Sequence, residues 1–240
     1  MNQQKQRHGC RRTRVIHRSA AWGITAIAAG MLSGCGSVSS NSAHVRAVNM
    51  TTDGSSATMY IDGGSWTGSQ GFQEASDYKD FVTGYHYLTF KYAAKSSVTY
   101  PTTAATLEAN TYSVISFGLT GITDSSDKRY PQAVVVSDSD STPGSGEARV
   151  RLIHAAPDAA AADVFVNGTE VQAATAYKTT GNYTTVTAGS ITALYNATGT
   201  STALASSTLT VTAGHHYSIF LVETSTSTPA YAVKMVEDTD

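Results

Sequence analysis

Two stretches of nineteen residues repeat within this chain at a spacing of 105 residues. Residues 45–63 read VRAVNMTTDGSSATMYIDG, and residues 150–168 read VRLIHAAPDAAAADVFVNG. The same offset holds over about seventy positions and also aligns Tyr78 with Tyr183, Gly84 with Gly189, and Tyr112 with Tyr217. A repeat held at one offset over this length predicts two copies of a single folding unit, and it disfavours two unrelated domains of similar composition.

Each copy alternates apolar and polar residues over short segments bounded by turn residues, with no long helical periodicity. In HYLTFKY, alternate side chains beginning at His86 are predicted to point inward, and the aligned positions of the second copy are again mainly apolar. The pairs Asp62-Gly63 and Asn167-Gly168 predict tight hairpins, because such pairs tolerate positive φ. The sequence therefore predicts an all-β protein with two tandem antiparallel β-sandwich (immunoglobulin-like) domains.

The N-terminus has the pattern of an export signal rather than of a folded segment. A basic head without acidic residues precedes an uncharged run at 20–32, which is too short to span a bilayer. The run ends in LSGC, similar to a bacterial lipobox, so we expect cleavage before Cys35 and lipid attachment to its sulfur. The alternative is an ordinary export signal cut elsewhere, with Cys35 incidental.

These features predict five segments along the chain. They are a lipoprotein signal peptide at 1–34, a lipidated tether at 35–43, a β-sandwich domain at 44–136, a linker at 137–147 and a β-sandwich domain at 148–240. The linker reads SDSDSTPGSGE, a polar composition typical of flexible connections. The eight residues after Cys35 reach at most about 28 Å when extended, so the first domain is expected close to the lipid headgroups.

Charge and cysteine content limit the classes of partner. Without the signal, ten basic residues remain against 18 acidic ones, a net charge of about −8, which disfavours nucleic-acid binding. Cys10 leaves with the signal and Cys35 takes the lipid, so no disulfide is expected. The predicted location is the bacterial cell envelope, with Gly36 favouring the outer membrane, since Asp after the lipidated cysteine commonly retains Gram-negative lipoproteins at the inner membrane. The sequence does not distinguish the periplasmic face of that membrane from its outer surface.

The second copy resembles the opening of a bacterial family, domain of unknown function 4397. Members of that family typically read V-R-V-x-H-A-S-P-D-A, then a few small residues and D-V-Y-V-D-G. The matching positions here are His154, Ala155, Pro157, Asp158, Asp163, Val164, Phe165, Val166, Asn167 and Gly168. The first copy departs at Asn49, Thr52 and Thr58. The resemblance implies an exported, envelope-associated β sandwich, often in tandem, and it implies no activity.

Polar residues of the AAPDA segment are predicted to have a structural role. Pro157 fixes φ, Asp158 is suited to bond backbone N–H groups, and His154 is placed to pin the turn through a ring hydrogen bond. The first copy keeps Asp53 but has Asn49 in place of the histidine, and Asn is neither a general base nor a good metal ligand. The alternative is a metal site or an acid–base pair that also includes Asp163.

No other motif predicts catalysis, a metal site or a cofactor. The adjacent His215 and His216 are expected in a solvated hairpin, where they point to opposite faces. There is no G-x-S-x-G elbow, phosphate loop, dinucleotide fingerprint or Cys/His metal spacing. We therefore predict no catalytic residues, no metal and no cofactor. A hydrolase is the weakest alternative, and turnover abolished by His154→Ala would support it.

Aromatic residues suggest the second functional hypothesis. Tyr85 and Tyr87 fall on outward positions of a predicted strand, and with Trp66 they are candidates to stack on sugar rings. The competing interpretation is that tyrosine is simply a good strand residue. The first hypothesis is a non-enzymatic envelope lipoprotein, anchored through its N-terminal lipid, that contacts another envelope protein or the cell wall. The second is a carbohydrate-binding lipoprotein that contacts a glycan.

Overall fold

The computed structural model describes residues 42–54, 56–95, 100–225 and 230–238. The predicted signal peptide and Cys35 lie outside these residues. The described residues form seventeen β-strands and one short 3-10 helix, Ala93–Lys95. No helix in the described part of the chain has the length and apolar character needed to cross a membrane.

The first copy of the repeat forms a sandwich of two sheets. Its strands are β1 (Ser42–Asn49), β2 (Ser56–Ile61), β3 (Gly64–Gly71), β4 (Glu74–Ala75), β5 (Lys79–Val82), β6 (Gly84–Tyr92), β7 (Thr103–Leu107), β8 (Thr111–Phe117) and β9 (Gln132–Ser137). One sheet has the order β3-β2-β6-β7. The other has the order β4-β1-β8-β9, with β5 also paired to β1.

The second copy repeats this arrangement. Its strands are β10 (Glu147–Ala155), β11 (Ala162–Val166), β12 (Thr169–Thr175), β13 (Thr184–Thr187), β14 (Gly189–Ala197), β15 (Ala203–Val211), β16 (His216–Ser225) and β17 (Ala230–Glu237). The sheet orders are β12-β11-β14-β15 and β13-β10-β16-β17. The prediction of two tandem β sandwiches is confirmed.

Each sandwich contains one parallel strand pair that the sequence pattern did not indicate. β1 lies parallel to β8, with Arg46 opposite Ser113, and β10 lies parallel to β16, with Arg151 opposite Ser218. The other pairs between these strands are antiparallel. Hairpins join antiparallel neighbours that follow one another in the chain, whereas β1 and β8 are separated by strands of both sheets, and this long connection permits the parallel direction.

Side-chain alternation and hairpin geometry follow the sequence prediction. Along β6, residues alternate between buried and less buried, with His86 the first buried side chain. Asp62 and Gly63 have φ angles of 49° and 80°. The matching Asn167 and Gly168 have φ angles of 50° and 77°, so both hairpin turns require positive φ at two successive positions.

Besides a separate core inside each sandwich, a third apolar core joins the two sandwiches. Its buried members are Val48, Met50, Ile115 and Phe117 from the first copy and Ile153, Ala155, Phe220 and Val222 from the second. Each member of the first group aligns with one of the second at the repeat offset. The central strands of the facing sheets are therefore buried on both faces, which explains their nearly continuous apolar sequences.

Candidate functional site

His154 lies in β10 and is fully buried. Its Nε2 is 2.9 Å from the carbonyl oxygen of Ala160, so this nitrogen carries the proton of the neutral ring. Burial lowers the pKa of His154, and its Nδ1 has no hydrogen-bond partner among the described residues. The ring therefore ties β10 to the far side of the following turn and has no access to a substrate in solution.

The turn after β10 is connected to the first sandwich through charged groups. The Asp158 backbone N–H donates to Oε2 of buried Glu223 at 3.1 Å. The Asp158 carboxylate lies 3.6 Å from Arg129 Nη1, and Arg129 also pairs with Asp127 at 2.8 Å. Pro157 is buried in the same turn. The Asp158 carboxylate therefore contacts the Arg129 guanidinium of the first copy. The sequence predicted bonds from Asp158 to backbone N–H groups. It did not indicate Arg129, because this residue comes from a distant loop.

The first copy fixes its corresponding turn with different groups. Asp53 accepts backbone N–H groups through both carboxylate oxygens, from Thr120 at 2.6 Å and from Gly121 at 3.0 Å. Asn49 accepts the Thr51 N–H at 3.1 Å through its side-chain oxygen. Asp53 therefore occupies a structural position, and His154 and Asn49 each make a local hydrogen bond at the same place in the repeat.

Replacing His154 by Asn, the residue at the aligned position 49, is expected to weaken the acid sensitivity of the fold. Because burial lowers the pKa of His154, folding favours the neutral ring. This stabilisation is present above the unfolded-state pKa of about 6.5 and is lost as the pH falls below it. Urea unfolding at about pH 7.5 and about pH 5.5 should show a smaller loss of unfolding free energy in the variant. An equal loss in both proteins would contradict this role.

The adjacent histidines of the second copy point to different partners. His215 Nδ1 lies 2.6 Å from Glu237 Oε1, and His216 Nε2 lies 3.2 Å from the Ser141 carbonyl oxygen. In the part of the chain that the structure describes, no group of three or more His, Cys, Asp or Glu side chains is placed to hold a metal ion. These histidines therefore contact neighbouring loops and strands of the same protein.

The three aromatic candidates do not form one surface. Tyr85 and Tyr87 are 61% and 53% exposed on β6, and their ring centroids lie 5.4 Å apart in a T-shaped arrangement. Trp66 packs instead against Phe81, with centroids 4.8 Å apart, and its indole nitrogen is buried. Trp66 is partly buried and packs against the first core.

A buried ionic network joins the two sandwiches beside the third core. Arg151 is 2% exposed, donates from Nε to Ser218 Oγ at 2.7 Å and forms an ion pair with Asp138 through Nη2. Asp138 follows β9 of the first copy. It also accepts hydrogen bonds at 2.7 Å from Ser113 Oγ and from the Tyr78 hydroxyl. One carboxylate therefore connects side chains from both sandwiches.

The other half of the network repeats these contacts with the copies exchanged. Arg46 is 3% exposed, donates from Nε to Ser113 Oγ at 2.8 Å and pairs through Nη2 with Asp238. Asp238 follows β17 of the second copy. It accepts hydrogen bonds from Ser218 Oγ at 2.7 Å and from the Tyr183 hydroxyl at 2.8 Å. The two halves are related by an approximate twofold exchange of the repeats, as in a symmetric dimer interface.

Burial controls the protonation states within this network. Burial raises the pKa of the Asp138 carboxyl, and the Arg151 guanidinium opposes that rise. Burial also raises the pKa values of Tyr78 and Tyr183, so both hydroxyls remain donors. Each guanidinium additionally lies over a tyrosine ring, Arg46 at 4.6 Å from the Tyr78 centroid and Arg151 at 4.7 Å from that of Tyr183. The arrangement neutralises two cations with two carboxylates and holds the sandwiches together.

Sequence reasoning did not predict this network. A signal was present, because Arg46 and Arg151 interrupt otherwise apolar strands at matching positions, and a charge inside a buried strand requires a partner. The partners were not identifiable, because Asp138 lies in the segment predicted as a flexible linker. In the structure the Asp138 side chain is buried, so part of that segment belongs to the interface.

A family model described as a domain of unknown function, DUF4397, matches residues 43–161 and 148–240, in two overlapping copies. These ranges cover both sandwiches of the structure. No curated protein matches the chain at a significant level.

Proposed function

The chain belongs to the DUF4397 family, and we propose that it is a lipid-anchored protein of the bacterial envelope that presents two β sandwiches as one rigid, non-catalytic binding body. The observation that carries this proposal is the buried network of Arg46, Arg151, Asp138 and Asp238 beside the shared apolar core. Two modules fixed in this way present a constant surface to an envelope protein or to the cell wall. Loosely tethered modules would not.

The anchor is supported by the order of features at the N-terminus. A basic head, an uncharged run and LSGC follow one another, and only six residues separate Cys35 from the start of β1 at Ser42. Two or more acyl chains hold a protein stably on a membrane, whereas one chain gives only marginal binding. A lipid on Cys35 would therefore place the first sandwich next to the membrane surface.

The hydrogen bonds made by the candidate acid–base and metal-binding side chains support the non-catalytic assignment. His154 is buried against a carbonyl oxygen, and Asp53 binds two backbone N–H groups. Asp163 likewise accepts backbone N–H groups from Ala174 and Gly199, both at 2.8 Å. Groups engaged in this way stabilise loops.

Replacing Cys35 by Ser is expected to remove lipid attachment and to move nearly all of the protein from the membrane fraction to the soluble fraction. Fractionation of cells and intact-mass measurement of the purified chain check this result. Cys10→Ser is the matched control, because this cysteine is predicted to leave with the signal peptide. An unchanged membrane fraction in Cys35→Ser, or an intact mass without lipid in the wild type, would contradict the anchor.

Protease shaving of intact and permeabilised cells then defines the membrane face. Digestion in intact cells would show a surface-exposed body and direct the search to external ligands. Digestion only after permeabilisation would show a periplasmic body and direct the search to wall or envelope partners. Both results retain the anchored module and differ only in the partner class.

A second function, glycan binding, is favoured by one observation. Tyr85 and Tyr87 are exposed in the first sandwich, whereas Ser190 and Thr192 occupy the matching positions of the second. The fold therefore does not require aromatic residues there. A glycan array with the wild type and a Tyr85→Ala/Tyr87→Ala variant tests this function. Either no bound glycan or equal binding by the two proteins would exclude it at this surface.

A further inference from the structure

The large apolar side chains that are exposed in the described part of the chain all belong to the first sandwich. They are Val82 at 61%, Tyr85 at 61% and Tyr87 at 53% exposure. Val82 ends β5 in the sheet that contains β1, and Tyr85 and Tyr87 follow in β6 of the other sheet, just after the connection between the two sheets. His86 connects the two strands, since its Nε2 lies 3.0 Å from the Val82 carbonyl oxygen. We call Val82, Tyr85 and Tyr87 the aromatic end surface.

The aromatic end surface lies where the chain enters the first sandwich. Ser42, the first residue of β1, is directly opposite Val82 in the sheet. Seven Cα-to-Cα steps separate Cys35 from Ser42, so an extended chain spans roughly 25 Å at most between them. The length of this segment therefore sets an upper limit on the distance from the residue predicted to carry the lipid to Ser42, the residue opposite Val82.

The second sandwich, which begins more than a hundred residues further from Cys35, lacks this surface. At the repeat offset, Val82, Tyr85 and Tyr87 correspond to Thr187, Ser190 and Thr192. Both copies use these positions in equivalent strands, β5 and β6 or β13 and β14. The apolar side chains are thus a property of the copy next to the anchor and not a requirement of the fold.

Two carboxylates near the surface have histidine partners. Asp62 Oδ2 lies 2.7 Å from His86 Nδ1, and Asp80 Oδ1 lies 3.1 Å from His44 Nδ1. Asp62 also accepts the backbone N–H of Tyr87 at 2.9 Å. Carboxylates held by partners are less costly to bring close to a lipid headgroup layer than unpaired carboxylates.

We propose that the aromatic end surface lies in the headgroup region of the membrane that carries the Cys35 lipid, and that it orients the protein on that membrane. This inference rests on the proposed lipid anchor. Tyrosine is enriched at membrane–water interfaces, where the ring contacts the acyl boundary and the hydroxyl stays hydrated. The lipid supplies attachment, and Val82, Tyr85 and Tyr87 fix which side of the first sandwich faces the bilayer.

The test uses the full lipidated chain in vesicles of phosphatidylethanolamine and phosphatidylglycerol that contain brominated lipids. One thiol-reactive fluorophore is placed at Thr106→Cys, an exposed position opposite Tyr85 in the sheet. The matched control label is at Thr210→Cys, opposite Ser190 in the second sandwich. Because the Cys35 sulfur is blocked by lipid, each variant has one free thiol. We expect strong quenching at position 106 and little at position 210.

The double variant Tyr85→Ser/Tyr87→Thr carries the residue types that the second copy has at these positions. We expect it to reduce quenching at position 106 to the level seen at position 210. Circular dichroism checks that the exchanged variant is folded. Equal quenching at both positions, or unchanged quenching in the exchanged variant, would overturn the inference while flotation with vesicles still supports the anchor. An intact mass without lipid would overturn the proposed anchor, and this inference with it. Binding of a glycan by Tyr85 and Tyr87 without quenching would assign the surface to sugar recognition instead.

Discussion

Replacing Arg151 by Ala is expected to lower the free energy of unfolding by roughly 3–5 kcal/mol. The guanidinium is buried between the two sandwiches, where it pairs with Asp138 and donates to Ser218. Removal of the cation takes away the guanidinium that pairs directly with Asp138, and the remaining hydrogen bonds from Ser113 and Tyr78 do not replace its charge. Urea unfolding followed by circular dichroism measures the loss.

Arg149→Ala is the matched control because Arg149 lies two residues earlier on the same strand. Its ion pair with Asp140 is 2.6 Å long, and both side chains are partly exposed. A partly exposed ion pair leaves a better-solvated partner when it is broken, so the control should lose clearly less stability than Arg151→Ala. Similar losses of unfolding free energy for Arg151→Ala and Arg149→Ala would show that the buried network stabilises the fold no more than a partly exposed ion pair does.

A double variant separates the pair from its surroundings. Asp138→Asn removes the carboxylate charge but keeps a side chain able to accept hydrogen bonds. The combined Arg151→Ala/Asp138→Asn variant is expected to be less destabilised than the sum of the two single variants, since it no longer buries an unpaired charge. Additive losses would mean that the two groups do not interact in the folded state.

Replacing Phe220 by Ala is expected to lower the free energy of unfolding by about 3–5 kcal/mol. The ring is 1% exposed and lies in the third core, which contains side chains from both copies. Deleting it leaves a cavity between two rigid sheets that can close only partly. Because the cavity lies in the core that both sandwiches share, calorimetry should show one lowered transition and not a loss confined to the second domain.

Thr192→Ala is the control for this prediction, since Thr192 is exposed on β14 and its removal changes no core. Such surface substitutions usually alter stability by no more than about 0.5 kcal/mol. Two separate calorimetric transitions, of which only one is lowered by Phe220→Ala, would show that the sandwiches unfold independently. That result would also weaken the proposed rigid body.

Much of the local structure was predictable from the sequence. Period-two alternation identified the inward residues of β6 and β14, and the pairs at 62–63 and 167–168 indicated their hairpin turns. The reason is that these features depend on neighbouring residues, through side-chain direction in a strand and the φ preference of each turn residue. The 105-residue repeat added an internal check, because each face assignment could be tested in the other copy.

The sequence alone thus determined two β sandwiches, their strand faces, their main hairpins and the N-terminal anchor pattern. Only the tertiary structure decided that the two sandwiches share a core, that Asp138 and Asp238 cross between copies, and that Trp66 is partly covered. These contacts join residues up to 192 positions apart. Their energies depend on burial and on the distance between groups in space, neither of which is encoded in a local residue pattern.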